Sequence, residues 1–155
     1  MKTRTIMLAL AAMFVAVAVS RAADDPNMGA WKLNDAKSKF SAGSAKNSTV
    51  VYAAAGDSVK VTVDGVDADG KPTHTEWTGK FDGKDYPVTG DSVSDTRSYK
   101  RVDARTLALT NKKGGKVVAT GKVVVSADGK TRTVTASGTD AKGNKISSTA
   151  VYDKQ

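Results

Sequence analysis

The amino-acid sequence predicts an all-β protein folded as an antiparallel, up-and-down β-barrel of about eight to ten strands. Of the 16 acidic residues, 15 are Asp, which favours turns, and one is Glu. Residues 23–155 contain 16 Val and 15 Thr, both β-branched and typical of strands. Turn-forming dipeptides separate runs of period-two alternation, which is the pattern of strands joined by hairpins.

The first 22 residues are predicted to be a secretory signal peptide rather than part of the barrel. Two basic residues precede an uncharged apolar run at 6–19, and small residues occupy positions −3 and −1 of a cleavage site after Ala22. The run is shorter than the roughly 20 residues of a membrane-spanning helix. We therefore expect an exported protein, periplasmic or secreted, with one barrel domain over 23–155.

The composition excludes several kinds of chemistry. The chain has no Cys and one His, so disulfides, thiol nucleophiles, iron–sulfur clusters and cysteine-based zinc sites are excluded. We expect no metal and no cofactor. The net charge of +8 falls to +5 without residues 1–22, and the remaining charge is spread along the chain. No aromatic platform for base stacking accompanies it, so nucleic-acid binding is not predicted.

Turn dipeptides and alternation place the strands in order. The first strand is predicted near 29–34, and the only helical candidate follows at 35–45, where Asn34 or Asp35 is suited to cap a short helix or turn. Alternating Val59, Val61 and Val63 mark one of the next strands. The remaining strands are predicted near 47–55, 58–66, 72–81, 86–89, 95–102, 105–112, 116–126, 130–139 and 144–153.

An antiparallel meander of this length exposes unpaired edges unless the sheet closes. A closed up-and-down barrel fits about ten strands in a domain of this size. The alternative of an outer-membrane barrel requires an apolar residue at every second position of each strand. The segment 130–139 is too polar for that, so we expect no insertion into a membrane.

Short motifs resemble the calycin superfamily. Gly29-Ala30-Trp31 is similar to the Gly-x-Trp motif that opens the first strand of lipocalins and fatty-acid-binding proteins, and segments 134–139 and 150–154 resemble the last two strands of the latter. Segments 63–72 and 81–88 resemble exported bacterial lipocalin-like proteins. The resemblance implies a closed barrel around a small apolar ligand, with Trp31 plugging one end.

The sequence departs from fatty-acid-binding proteins at one point of the implied site. Their Arg-x-Tyr pair, which holds a carboxylate, would fall at Ala150 and Tyr152, so the Tyr is present and the Arg is missing. Arg97 and Arg101 are the candidates to replace it. The segment 35–46 is also short for the two-helix lid of those proteins.

The predicted ligand-binding residues are aromatic side chains on the predicted strands, together with one Arg. Small residues on predicted inner faces, such as Gly121 and Ala150, indicate either a thin, closely packed barrel or a cavity. The predicted ligand-binding set is Trp31, Tyr52, Trp77, Phe81, Arg97, Tyr99 and Tyr152.

No catalytic or metal-binding motif accompanies these residues. His74 and Glu76 share a strand face, but no recognisable nucleophile motif stands with them, and we expect His74 to face solvent. The stretch 65–76 partly mimics a calcium loop, but Gly65 stands where an Asp is needed. Asp-rich hairpin turns explain it better.

We therefore predict an exported, non-catalytic β-barrel that binds a small hydrophobic or amphipathic, lipid-like molecule. A second hypothesis is a structural or protein-interaction module of the cell envelope with a filled barrel and no ligand. A third is a hydrolase or isomerase that uses His74 and nearby carboxylates.

Overall fold

The computed structural model describes residues 25–140 and 142–155. The predicted signal peptide at 1–22 lies outside the described residues. None of the helical structure in the described part is long and apolar enough to cross a membrane. The strands are β1 (Gly29–Leu33), β2 (Lys39–Phe40), β3 (Lys46–Ala55), β4 (Ser58–Val66), β5 (Pro72–Gly79), β6 (Tyr86–Thr89), β7 (Thr96–Asp103), β8 (Thr106–Lys113), β9 (Lys116–Val125), β10 (Thr131–Thr139) and β11 (Lys145–Lys154).

Ten of these strands form a closed antiparallel ring. Each strand from β3 to β10 pairs with the next along the chain, and β1 pairs with both β3 and β11. The short β2 is an extra strand that pairs with β11. The prediction of an all-β, up-and-down barrel is therefore confirmed, since pairing between β1 and β11 satisfies both edges of the sheet.

The segment between β1 and β3 contains a single helical turn rather than a longer helix. Asn34 caps a 3-10 helix at Asp35–Lys37, and its side chain accepts a hydrogen bond from the Lys37 backbone N–H. The hydroxyl of Ser38 then accepts from the Val151 backbone N–H at 2.9 Å, which fixes the segment to β11. The helical prediction for 35–45 is thus correct in its cap but too long.

Asp side chains shape most of the hairpin turns. Each carboxylate accepts the backbone N–H two residues later, as Asp140 does from Lys142 at 2.8 Å. The same bond is made by Asp67, Asp82, Asp91, Asp103 and Asp128. Asp has the side-chain length that closes this local ring. Turn formation therefore accounts for the excess of Asp over Glu.

Within the ten-stranded barrel, β6 forms the fewest register pairs with its neighbours. This four-residue strand forms two register pairs with β5 and two with β7. After β6, Gly90 has a φ of +77°, and a Cβ there would lie 2.0 Å from the backbone oxygen of His74. Glycine is required because the turn needs both positive φ and this close approach. The predicted strand 72–81 is also longer than the observed β5.

The two ends of the barrel differ. Residues 25–31 and the turn between β9 and β10 lie at one end, called here the Trp31 end. The turn between β10 and β11 lies at the opposite end. Residues 132, 134 and 136 of β10 line the interior of the barrel. Residue 132 is nearest to the Trp31 end, and residue 136 is nearest to the opposite end.

Candidate functional site

A cavity of about 150 Å³ lies inside the barrel. Aliphatic side chains and Phe40 form part of its wall, and tyrosine, amide, hydroxyl and guanidinium groups form the rest. Among the described residues, the wall contains no Asp, Glu or His. Its polar members are Asn47, Tyr52, Arg97, Tyr99, Asn111, Arg132, Ser148 and Tyr152.

Small residues on β10 and β11 leave this volume open. Ala136 pairs with Ser148, and Val134 pairs with Ala150, all on the inner face. On the neighbouring strand β9, Gly121 pairs with Ala136. The sequence was compatible with either a close-packed barrel or a barrel with a cavity. The structure has a cavity.

Arg132 lies in the cavity wall near the Trp31 end. It is 2% exposed and is the direct cross-strand partner of Tyr152. Its guanidinium carbon lies 5.1 Å from the ring centroid of Trp31, 5.0 Å from that of Tyr52 and 4.7 Å from that of Tyr152. A desolvated cation–π contact contributes about 2 kcal/mol, so the three rings partly offset the cost of burying the charge.

The aromatic rings stabilise the positive charge of Arg132, but two of its nitrogens lack hydrogen-bond acceptors among the described residues. Nε and Nη1 are buried and have no hydrogen-bond partner among the described residues. A buried cation without a paired anion costs several kcal/mol. Arg132 is therefore a destabilising element of the barrel interior unless an acceptor reaches it.

The tyrosines beside Arg132 stay neutral. Burial raises the pKa of Tyr152 to about 12, although the Arg132 cation acts in the opposite direction. Burial also raises the pKa of Tyr52 above its usual range, with a further increase from Tyr99 and an opposing effect of Arg132. Neither phenol supplies a negative charge at neutral pH.

Arg97 is also buried, but its guanidinium is occupied. Nε donates to the Asn111 side-chain oxygen at 2.8 Å, and Nη2 lies 3.5 Å from the Asp91 carboxylate. Asp91 in turn accepts from the Ser94 hydroxyl at 2.5 Å. Arg97 therefore ties the β6–β7 turn to the barrel wall. Within the part of the chain that the structure describes, Arg132 is the cavity cation that has no paired anion.

Four of the seven predicted ligand-binding residues, namely Tyr52, Arg97, Tyr99 and Tyr152, line the cavity. Trp31, Trp77 and Phe81 are outside its wall.

Trp31 closes its end of the barrel. It is fully buried, and its Nε1 donates to the Asn27 backbone oxygen at 2.9 Å. Lys154 Nζ lies 5.1 Å from the ring centroid, so two cations contact the indole. The geometry fits the plugging role that the resemblance implies.

Trp77 and Phe81 belong to an aromatic cluster on the β5–β7 side. Their rings are stacked with centroids 6.4 Å apart, and Tyr99 meets Trp77 edge-on at 4.9 Å. Trp77 Nε1 donates to the Arg97 backbone oxygen. Arg101, the other candidate cation of the sequence, lies over Phe81 and pairs with Asp25 rather than lining the cavity.

His74 lies on the outer face of the barrel and its side chain is 58% exposed, as predicted. Nδ1 lies 2.6 Å from Asp64, and Nε2 lies 3.7 Å from Glu76. The described residues contain no group of three or more His, Cys or acidic side chains suited to hold a metal ion. The His74 cluster and the cavity are separate features.

Sequence reasoning did not single out Arg132, although a signal was present. On β10, Arg132 alternates in step with Val134, Ala136 and Gly138, whereas Thr and Ser occupy the positions between them. A lone Arg on the small, apolar face of a strand indicates a cation that points into the core. The polarity of the whole segment concealed this pattern.

No protein-family model and no curated protein sequence matches this chain. Several solved structures resemble it, among them two β-barrels bound to the small molecule DFHBI. EF1p2_mFAP2b bound to DFHBI has a TM-score of 0.48 at 13% identity and covers 87% of this chain and 98% of its own. The redesigned beta barrel mFAP1 bound to DFHBI has a TM-score of 0.44 at 16% identity and covers 87% and 100%. Because both TM-scores are below 0.5, the fold assignment rests on the strand pairings of this chain.

Proposed function

We propose that this protein is an exported, non-catalytic β-barrel of lipocalin-like type that binds one small apolar or amphipathic molecule in its interior. The observation that carries the proposal is the cavity of about 150 Å³, whose wall combines nine apolar side chains with eight side chains that carry polar groups. An enclosed site in which polar groups orient a molecule against apolar walls is typical of small-molecule binding.

The volume limits the ligand. Pockets for drug-sized molecules have volumes of about 300–1,000 Å³, and an apolar cavity of about 150 Å³ holds a benzene-sized molecule. We therefore narrow the lipid-like ligand suggested by the sequence to a molecule whose buried part is about one ring or a short chain. A long-chain lipid exceeds this space.

The proposal of a binding rather than catalytic role is supported by the groups in the wall. General acid–base catalysis works best with a group that titrates near the working pH. The tyrosines Tyr52 and Tyr152 have raised pKa values, and Arg97 is held by Asp91 and Asn111. Export is supported by the basic start, apolar run and small residues before Ala23.

The second candidate, an interaction module with a filled barrel, is favoured by the aromatic cluster. Trp77, Phe81, Tyr86 and Tyr99 pack against one another and fill the β5–β7 side of the interior. The experiment below separates the two candidates, because a filled barrel binds no probe.

The test is an NMR titration of residues 23–155 with benzamide and benzoate. We expect saturable shifts at cavity-lining amides. Ala136→Leu fills the cavity and abolishes them, while Thr135→Leu adds the same side chain on the exposed outer face and leaves them intact. If neither benzamide nor benzoate shifts the amide signals of the wild type, the proposal is wrong. Equal affinity for hexadecanoate would overturn the size limit.

A further inference from the structure

We infer that the molecule bound in the cavity carries a carboxylate, and that Arg132 is the residue that binds it. The inference rests on the proposed function and adds the chemical class of the ligand. It is carried by a cavity-lining guanidinium that is 2% exposed and has two N–H-bearing nitrogens without partners among the described residues.

The charges of the cavity point to an anion. Its wall contains two arginines and, within the described residues, no acidic side chain. Arg97 is compensated by Asp91 from the neighbouring turn. No acidic side chain in the described part of the cavity wall faces Arg132. Its charge is surrounded by aromatic side chains, the Tyr52 phenol oxygen is within hydrogen-bonding reach of it, and the phenols of Tyr52 and Tyr152 hold their protons at neutral pH.

Aromatic rings and a carboxylate satisfy different parts of a guanidinium. The rings of Trp31, Tyr52 and Tyr152 stabilise the positive charge through their π electrons. They offer no carboxylate or carbonyl oxygen to the N–H groups. A carboxylate has two oxygens with the spacing of a guanidinium fork, so it accepts two N–H bonds at once.

The position of Arg132 also sets the orientation of the ligand. Arg132 is near the Trp31 end, and the small residues Ala136 and Ser148 lie four positions further along β10 and β11 toward the opposite end. The carboxylate therefore lies deep, beside Tyr152, and the apolar part of the ligand extends along the wall of β10 and β11.

The alternative is that Arg132 serves only to hold the three aromatic rings together. In that case the cavity accepts neutral and anionic molecules of one shape equally well. Benzoate and benzamide form a suitable pair, because they have nearly the same shape and differ in charge.

The experiment measures the affinities of both compounds for the wild type, for Arg132→Met and for Arg105→Met by calorimetry at pH 7. Arg105 is an exposed residue of the β7–β8 turn, so its variant removes the same charge outside the cavity. We expect the wild type and Arg105→Met to bind benzoate at least about tenfold more tightly than benzamide. We expect Arg132→Met to lose that preference.

Equal affinity of the wild type for the two compounds would overturn this inference and leave the proposed function standing. A preference for benzoate that persists in Arg132→Met would also overturn it. Should this variant fail to fold, the Arg132 Nε–H NMR signal of the wild type supplies the answer. We expect benzoate to shift it and benzamide to leave it in place, and the absence of a shift with bound benzoate would count against the inference.

Discussion

Arg132 and Tyr152 are direct cross-strand partners on β10 and β11, and the guanidinium carbon lies 4.7 Å from the centre of the Tyr152 ring. The resemblance implied a cation two residues from Tyr152 on the same strand, where this chain has Ala150. In the structure, the cation beside Tyr152 comes from the adjacent strand. The register between β10 and β11 therefore brings Arg132 and Tyr152 together, although β11 lacks the Arg-x-Tyr pair.

We expect Arg132→Met to raise the stability of the ligand-free protein by about 1–2 kcal/mol, because it removes a buried charge whose N–H groups are unpaired. Functional residues often cost stability in this way. Urea unfolding of the two proteins measures the difference, with Arg105→Met as a control that stays within about 0.5 kcal/mol. A loss of stability in Arg132→Met would show that the three ring contacts outweigh the burial cost.

We expect Asp91→Ala to lower the free energy of unfolding by about 2–4 kcal/mol, because it leaves the buried Arg97 without its anion. It also removes the acceptor for the Val93 backbone N–H and the Ser94 hydroxyl. Thermal and urea denaturation provide the measurement. The exposed variant Asp69→Ala is the control, and equal effects of the two would contradict the structural role of Asp91.

The hydrogen bond with Asp64 raises the pKa of His74 above its usual value of about 6.5. Because the folded-state pKa is the higher one, the stabilisation is fully present below about pH 6.5 and disappears as the pH rises through the folded-state value. An NMR titration of the imidazole in the wild type and in Asp64→Asn tests this. Asp64→Asn should bring the pKa down, and Asp57→Asn at the far end of β4 should not change it.

Hydrogen bonds within the turns lower the pKa values of Asp128 and Asp140. Their contribution to stability is therefore present above about pH 4 and is lost as the pH falls through the depressed folded-state values. We expect Asp140→Glu to lower the thermal midpoint by a few degrees at pH 7, because the longer side chain fits the turn poorly. Asp69→Glu is the control, and no difference between them would argue against turn geometry as the cause.

The barrel was predictable because its signals are local. Alternating residues such as Val59, Val61 and Val63 mark a strand wherever the rest of the chain lies, and Asp-containing dipeptides mark the turns. The structure adds β2, whose two residues are too few for any period to be visible. The helix cap is also a local signal, and Asn34 was one of the two residues predicted for it, whereas the predicted helix was too long.

The cavity was less predictable because it depends on register between strands. Period two places Trp77, Phe81 and Tyr99 on the same side of their strands, but only Tyr99 of these three lies in the cavity wall. Trp77 and Phe81 stack on each other, since Phe81 lies just beyond the end of β5. The register between the strands of the closed sheet decides which inward-facing side chains contact one another.

Pairing between β1 and β11 joins Trp31 to Lys154, so the first and last strands of the barrel close it. Long-range contacts of this kind slow folding, because the chain between them must be ordered before they form. We expect the barrel to close late in folding and in one cooperative step. Until β11 pairs with β1, one edge of β1 has no hydrogen-bonded partner strand. Under the export proposed above, this delay would keep the chain extended during transport across the membrane.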